Sequence, residues 1–353
     1  MNKFVQPIKL IKNPNQIPYW KTTNAFILIT KFVQLIGKKI KGYKTTDNCE
    51  ISKLCKALIE YLDELSDLID ETPPNNLPRR YGNTSYRTWF LKFNSNLNDK
   101  VKAFLPEKFQ DSSIELSTYL SDSFGNYERI DYGTGHELAF LAFLCCFYQL
   151  GLIEENDLVG LIYGVFQRYL LLVRKLQQTY TLEAAGTHGV WGLDDFQSLP
   201  FYFGSCQFYP KQENENEIEK ENENEKQKEK EKEKEKTCKY SPSLIMDPEI
   251  LKTMRGDYLL ADAILYTRER KTGSFKVHSP KLAKVSKMGD WDEVHYYFLD
   301  MFLSGVLLKY PIVQHFYFGS ILSFSDEIKK KEDLLWEQEK MRIQNEERIK
   351  NQK

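Results

Sequence analysis

An all-α fold, built as one large helical domain, is predicted here by three observations. Apolar residues recur every three or four positions through several long segments, strict two-residue alternation is scarce, and several periodic runs stop at proline or glycine. With 353 residues and 41% hydrophobic content, the chain can bury a full core in one large domain or two closely packed lobes.

The first helical period runs through residues 25–36. In the second, over residues 51–69, Ile51, Leu54, Leu58, Leu62, Leu65 and Leu68 fall on one face. It stops at Thr72-Pro73-Pro74, because proline lacks an N–H and biases its predecessor out of the helical region, and a turn or lobe connection follows through Pro78. Residues 138–150 are apolar almost all round and end at Gly151, which marks a buried central helix. A second central helix is expected where Leu158, Leu161, Ile162, Val165, Tyr169, Leu172, Val173 and Leu176 continue the period. The last helix spans residues 291–308 and ends before Pro311.

Residues 211–236 are almost entirely Glu, Lys, Asn and Gln, too polar to offset their ordering entropy by burial, and read as a solvated insertion. Residues 326–353 read as a charged, exposed helix or tail.

Composition removes several function classes. Lys plus Arg (49) nearly cancels Asp plus Glu (50), so no global field favours nucleic acid or an anionic membrane. The apolar run at 138–147 falls short of the roughly 18–20 residues needed to span a bilayer. The first twenty residues lack the apolar centre of a secretory leader, so the N-terminus is expected to be mature. Six cysteines without C-x-x-C spacing argue against a disulfide framework or zinc module and for a reducing compartment. The five histidines show no H-E-x-x-H spacing, Cys145 and Cys146 lie in an apolar helix, and no Ser sits in G-x-S-x-G, so zinc hydrolysis and covalent catalysis are not expected.

Two segments carry chemistry. Residues 129–137, Arg-Ile-Asp-Tyr-Gly-Thr-Gly-His-Glu, run straight into the central helix. Glycine permits close backbone approach, a helix start attracts phosphate, and Arg129 offers a bidentate fork. A capped helix start explains Thr134 and its glycines equally well. Residues 189–196, Gly-Val-Trp-Gly-Leu-Asp-Asp-Phe, place two carboxylates in an aromatic, glycine-rich loop. Carboxylates with nucleotide phosphates commonly hold magnesium; the plain alternative is that Asp194 or Asp195 caps the next helix while Trp191 packs in the core.

Four blocks resemble the phosphotyrosyl phosphatase activator family: IDETPPNNLPRRYGNTSYRTWF (69–90), RIDYGTGHELAFLAFLCC (129–146), GVWGLDDFQSLPFYFGS (189–205) and PIVQHFYFGS (311–320). The similarity covers residues 15–322, with the 211–236 insertion and the 326–353 extension as departures. It implies an all-helical core, linker and lid around a deep cleft, and activation of a protein phosphatase 2A-type catalytic subunit. It also implies ATP and Mg2+ shared with that partner. Arg129, Thr134, Gly135, Ile312, Val313 and Gln314 match the nucleotide positions; Gly189 and Asp195 match the magnesium positions, Gly189 through its carbonyl alone. Peptidyl-prolyl cis-trans isomerase activity on prolyl-containing protein segments is also attributed to the family. It needs no nucleophile, since a pocket gripping a twisted prolyl bond lowers a barrier set by amide resonance. Trp191 and Tyr132 would pack the ring, with core packing as the alternative role for each, and Asp131 or Asp195 would orient the peptide. An inert helical scaffold is the remaining reading. Cytoplasmic residence is expected; nuclear entry stays open, because the Lys-rich stretch alternates with Glu.

Overall fold

The computed structural model describes residues 4–76, 82–186, 192–210 and 240–331. The 211–236 insertion, the tail beyond residue 331, Gly189 and Trp191 therefore lie outside the described residues.

Helices dominate, in the order α1 (Ile17–Trp20), α2 (Asn24–Lys39), α3 (Lys53–Asp70), α4 (Ser85–Asn94), α5 (Leu97–Ala103) and α6 (Ser113–Asp122). Then come α7 (Thr134–Gln149), α8 (Leu158–Gly160), α9 (Gln167–Thr179), α10 (Leu199–Cys206), α11 (Pro248–Thr253) and α12 (Leu259–Arg270). The series closes with α13 (Phe275–His278), α14 (Pro280–Val285), α15 (Trp291–Phe302) and α16 (Tyr310–Val313). Two two-residue ladders interrupt it: β1 (Ile8–Lys9) pairs antiparallel with β4 (Tyr317–Phe318), and β2 (Asp131–Tyr132) pairs parallel with β3 (Glu183–Ala184). Such ladders are too short to leave an alternating pattern in the sequence.

The expected helices form where the periodicity places them. Thr23 caps α2 by accepting from the Phe26 N–H, and Ser52 caps α3 by accepting from the Cys55 N–H. The inner face of α3 buries Leu58, Leu62 and Leu65, and the helix ends at Asp70, just ahead of Pro73-Pro74. Helix α7 is buried at every residue from His136 to Phe147, as an element apolar on all sides must be, and stops where Gly151 takes a φ of +67°. It packs on α6 and α2, α3 packs on α9, and α10 is gripped between α12 and α15. Both long runs that the sequence reads as single helices contain a π-helical segment, Leu161–Phe166 between α8 and α9 and Leu303–Leu307 after α15. The last run ends before Pro311, as expected, and Pro311 sits in the first turn of α16, where its missing N–H costs nothing.

One buried carboxylate ties the chain ends together. Glu115 of α6 is fully buried and accepts from the backbone N–H groups of Val5 (3.0 Å), Ser320 (3.0 Å) and Ile321 (3.0 Å) and from the Ser320 hydroxyl (2.6 Å). These bonds fix the segment carrying β4 against α6. Asn24 does similar work for residues 323–328, donating to Ser323 and Ser325 and accepting from the Ile328 N–H. Among the described residues, no helix is long and apolar enough to cross a membrane, and Cys49, Cys55, Cys145, Cys146 and Cys206 are free thiols.

Candidate functional site

The loop from Gly125 to Asp131 delivers the first set of functional side chains. Asn126 organises it: its carboxamide oxygen accepts from the Glu128 and Arg129 N–H groups (3.0 and 2.9 Å), its N–H donates to the Asp131 carbonyl, and its carbonyl accepts from Ile130. Arg87 braces the outside by donating to the Tyr127 and Glu128 carbonyls. The closure holds Ile130 at φ +54°, a conformation that a β-branched residue rarely adopts. Gly125, at φ +112°, permits the turn, since a Cβ there would stand 2.6 Å from the Asp131 carbonyl oxygen.

Arg129 projects from this loop, half exposed, and forks onto Asp131, with Nε 2.6 Å from Oδ2 and Nη2 3.3 Å from Oδ1. His136, in the first turn of α7, places Nδ1 2.6 Å from the Asp122 carbonyl, which can only accept, so Nδ1 carries the proton. Its Nε2 then lies 4.0 Å from the Asp131 carboxylate. Across the gap, burial and then the charges of Lys9 and Arg129 hold His315 below its usual pKa.

Two cavities meet at this point. The first, about 450 Å³, has Arg129, Asp131, Gly135 and His136 on one wall and Lys9, Ile312, His315 and Tyr317 on the other. The second, about 640 Å³, is lined by Thr134, Leu193, Asp194, Gln197 and Ser198, and by Lys281, Met301, Val306 and Lys309. Ala185, Gly186, Pro311 and Ile312 form the ridge between them.

The fold thus brings Arg129, Thr134, Gly135 and Ile312 together from segments almost 200 residues apart; a Cβ on Gly135 would touch Ile312 at 3.4 Å. It does not present every expected group. The Val313 side chain is wholly buried and its N–H is spent on the Lys309 carbonyl, while Gln314 folds its amide back onto the Pro311 carbonyl at 3.2 Å. Tyr132 is fully buried with its hydroxyl 2.8 Å from that of Tyr169, so it packs the core and offers no ring to a prolyl substrate. Thr134 does not cap α7: it is the first helical residue, Gly133 occupies the cap position, and no side chain bonds there.

Asp194 and Asp195 do not cap α10 either. That role belongs to Glu137 of α7, whose Oε2 accepts from the Ser198 (2.8 Å) and Leu199 (3.1 Å) N–H groups. A cap supplied from another helix leaves no local sequence signal. Glu137 is fully buried and its Oε1 has no partner; burial pushes its carboxyl up to about 8, against the pull of the two N–H groups. Because the folded-state value lies above the unfolded one, stability is unaffected at pH below the unfolded pKa and falls as pH rises toward 8, where the folded protein must carry a buried charge. Urea midpoints measured from pH 5 to 9 should decline for the native protein, and much of that slope should vanish in Glu137→Gln, which retains an acceptor for α10.

Asp195 pairs through Oδ2 with Lys271 at 3.4 Å, while its Oδ1 is buried without a partner. Among the described residues, no three His, Cys, Asp or Glu side chains gather around a point, so no all-protein metal cage exists there. The arrangement nearest to a nucleophile and base is Ser205 and Cys206, each 3.4 Å from His295 Nδ1. All three are buried, the thiol is pushed far up and the imidazole down to about 4, and both side chains already donate to the Tyr202 carbonyl. The cluster is therefore core packing, inert as a catalyst.

The pattern of the family described as "Phosphotyrosyl phosphate activator (PTPA) protein" matches residues 7–324. The chain belongs to this family. This PTPA-family protein is 35% identical to a "Probable serine/threonine-protein phosphatase 2A activator 1" of Dictyostelium discoideum, over 92% of each chain. It is 34% identical to a "Serine/threonine-protein phosphatase 2A activator" of Drosophila melanogaster, over 90% of this chain and 73% of that one. Its fold resembles the crystal structure of the PP2A phosphatase activator Ypa1 PTPA1, with a TM-score of 0.75 and 28% identity over 92% of this chain and 96% of the other.

Proposed function

We propose that this PTPA-family protein activates a protein phosphatase 2A-type catalytic subunit, with ATP and Mg2+ held between the two proteins. The observation that carries the reading is the convergence of Arg129, Gly135 and Ile312, with Lys9 beside them, on one cavity whose lining includes no Ser or Cys. The names of the relatives support the choice of partner.

The residues present fit the nucleotide: a guanidinium fork, a backbone free of a Cβ at Gly135, and an apolar wall at Ile312. When bound, ATP with magnesium would supply anionic oxygens and a divalent cation. Arg129 would bind and orient phosphate, exchanging part of its pairing with Asp131 for it, and Thr134 and Gly135 would donate hydrogen bonds. For magnesium, the carboxylate at a matched position among the described residues is Asp195, whose Oδ1 is buried without a partner. Mg2+ keeps several waters and phosphate oxygens rather than demanding an all-protein cage, so Asp195, now paired with Lys271, would be its protein anchor.

Activation then consists in shifting the partner's equilibrium, and only a difference in affinity for its two states can do so. Moving a population from 1:99 to 99:1 takes roughly a 10⁴-fold preference. The decisive assay mixes an inactive, purified catalytic subunit with this protein, with and without ATP–magnesium. Stimulation that needs both components is the expected result; a responsive subunit left inactive would remove the proposal.

Prolyl isomerisation forms a further part of the proposal. The second cavity's apolar surfaces from Leu193, Met301, Val306 and Ile312 support it, in a fold where Tyr132 cannot take part. A prolyl-peptide isomerisation assay of Trp191→Ala should lose most of the rate; full retention would remove that side chain from the mechanism.

A further inference from the structure

The second cavity carries a charge pattern that nucleotide binding does not use. Residues 271–289 contain five lysines, a histidine and no acidic residue, in a chain whose charges otherwise nearly balance. Within this segment Lys271 is paired, with Asp195 at 3.4 Å. Among the described residues, Lys276, Lys281, Lys287 and Lys309 meet no carboxylate within ion-pair distance. Lys281, opening α14, and Lys309, opening α16, come from separate segments and line the same cavity. On the opposite wall Gln197 is buried, and its Nε2 donor has no partner. Asp194, the acid in the lining, is itself buried.

We infer that this cavity and its Lys281–Lys309 rim seat an acidic peptide segment of the partner protein. Carboxylates of the segment pair with the two ammonium groups, an acceptor satisfies Gln197, and apolar side chains rest on Met301 and Val306. Charge complementarity selects the occupant, and concavity selects its form. A recess of about 640 Å³ admits the side chains of one extended chain, whereas a membrane surface or a nucleic-acid duplex would need a broad convex or grooved basic face. Val277, next to Lys276 in the same basic segment, is 72% exposed. The inference rests on the activator reading for the identity of the partner, not for the chemistry of the segment.

The test uses the full chain and the variant Lys281→Glu/Lys309→Glu, with circular dichroism and nucleotide binding as controls for the fold and the first cavity. A short fluorescein-labelled peptide alternating Glu with Ala and Leu is titrated by anisotropy, alongside its Gln counterpart, phosphatidylserine vesicles and a single-stranded oligonucleotide. In parallel, the phosphatase catalytic subunit is titrated at low and moderate salt. The acidic peptide should bind, the Gln peptide should not, and the charge reversal should weaken both the peptide and the phosphatase by at least about tenfold, with a flattened salt dependence. Lysine-dependent peptide binding without any phosphatase binding would leave the cavity assignment standing and remove the activator reading. Phosphatase binding unchanged by the reversal, with no peptide binding, would overturn this inference and leave the activator reading intact. Lysine-dependent binding of vesicles or oligonucleotide in place of the peptide would overturn it too.

Discussion

Arg129→Ala is expected to abolish most nucleotide-dependent activation while leaving the fold intact. The guanidinium is half exposed, so its loss opens no core cavity, yet it is the one fully cationic group that both lines the first cavity and presents two parallel donors. A charge-assisted hydrogen bond is worth about 1.5–3 kcal/mol, so losing one or two to phosphate should weaken ATP binding by roughly 10- to 10⁴-fold. The neighbouring acid adds to the loss: Asp131, nearly buried and deprived of its counter-ion, would face the nucleotide's anionic oxygens directly. Two companions sharpen the result. Arg129→Lys keeps the charge without the fork and should fall between the native protein and the alanine variant. Arg129→Ala/Asp131→Asn relieves the unpaired acid and should recover any stability lost in the single variant, but not nucleotide affinity. Calorimetric titration of ATP–magnesium and the phosphatase activation assay read the two quantities separately. Native-like ATP affinity and activation in Arg129→Ala would dismiss the assigned phosphate role.

Which parts of this site the sequence could disclose follows from how each part is built. Helices α2, α3, α7 and α15 announce themselves because burial of one face, or of all faces, imposes a period on the residues that supply it. The short helices α11, α13, α14 and α16 span too few turns for a period to develop, although each begins near a proline or serine. The 129–137 segment is legible as a place for chemistry because Arg, Gly, Thr and Gly crowd ahead of an apolar helix. What they face is not legible, since Ile312 and Lys309 return to them through tertiary packing alone. The sequence also misassigns what depends on the third dimension. Tyr132 takes the core-packing role that is its alternative, whereas Asp194 and Asp195 look like caps, but Glu137 reaches across from another helix to take the role. The family resemblance supplies candidate positions, and the fold sorts them: Arg129, Thr134, Gly135 and Ile312 border the cavities, whereas the Val313 side chain faces the core.

Glu115→Ala should be the most damaging single change to stability among these positions. The carboxylate accepts four hydrogen bonds from two remote segments in a fully buried site, so truncation strands four donors at once. Each buried donor left unpaired costs about 1–3 kcal/mol, so stranding several of them takes a large share of the roughly 5–15 kcal/mol that holds a typical domain together. The damage should also be directional. Ser320 and Ile321 follow β4 directly, and Tyr317 of that strand, paired with Lys9, forms part of the first cavity's wall. Releasing the clamp should therefore loosen that wall before the α3–α9 pair or the α10–α12–α15 cluster. Hydrogen exchange should show protection lost first at residues 5–9 and 317–321, with the urea midpoint lowered and ATP affinity reduced even though no ligand-facing side chain has been altered. Glu115→Gln, which keeps one carbonyl acceptor in place, should recover part of the midpoint. An alanine variant as stable as the native protein would mean that water replaces the carboxylate without loss, and that the chain ends are held by the β1–β4 ladder and the packing of Phe316 and Phe318 alone.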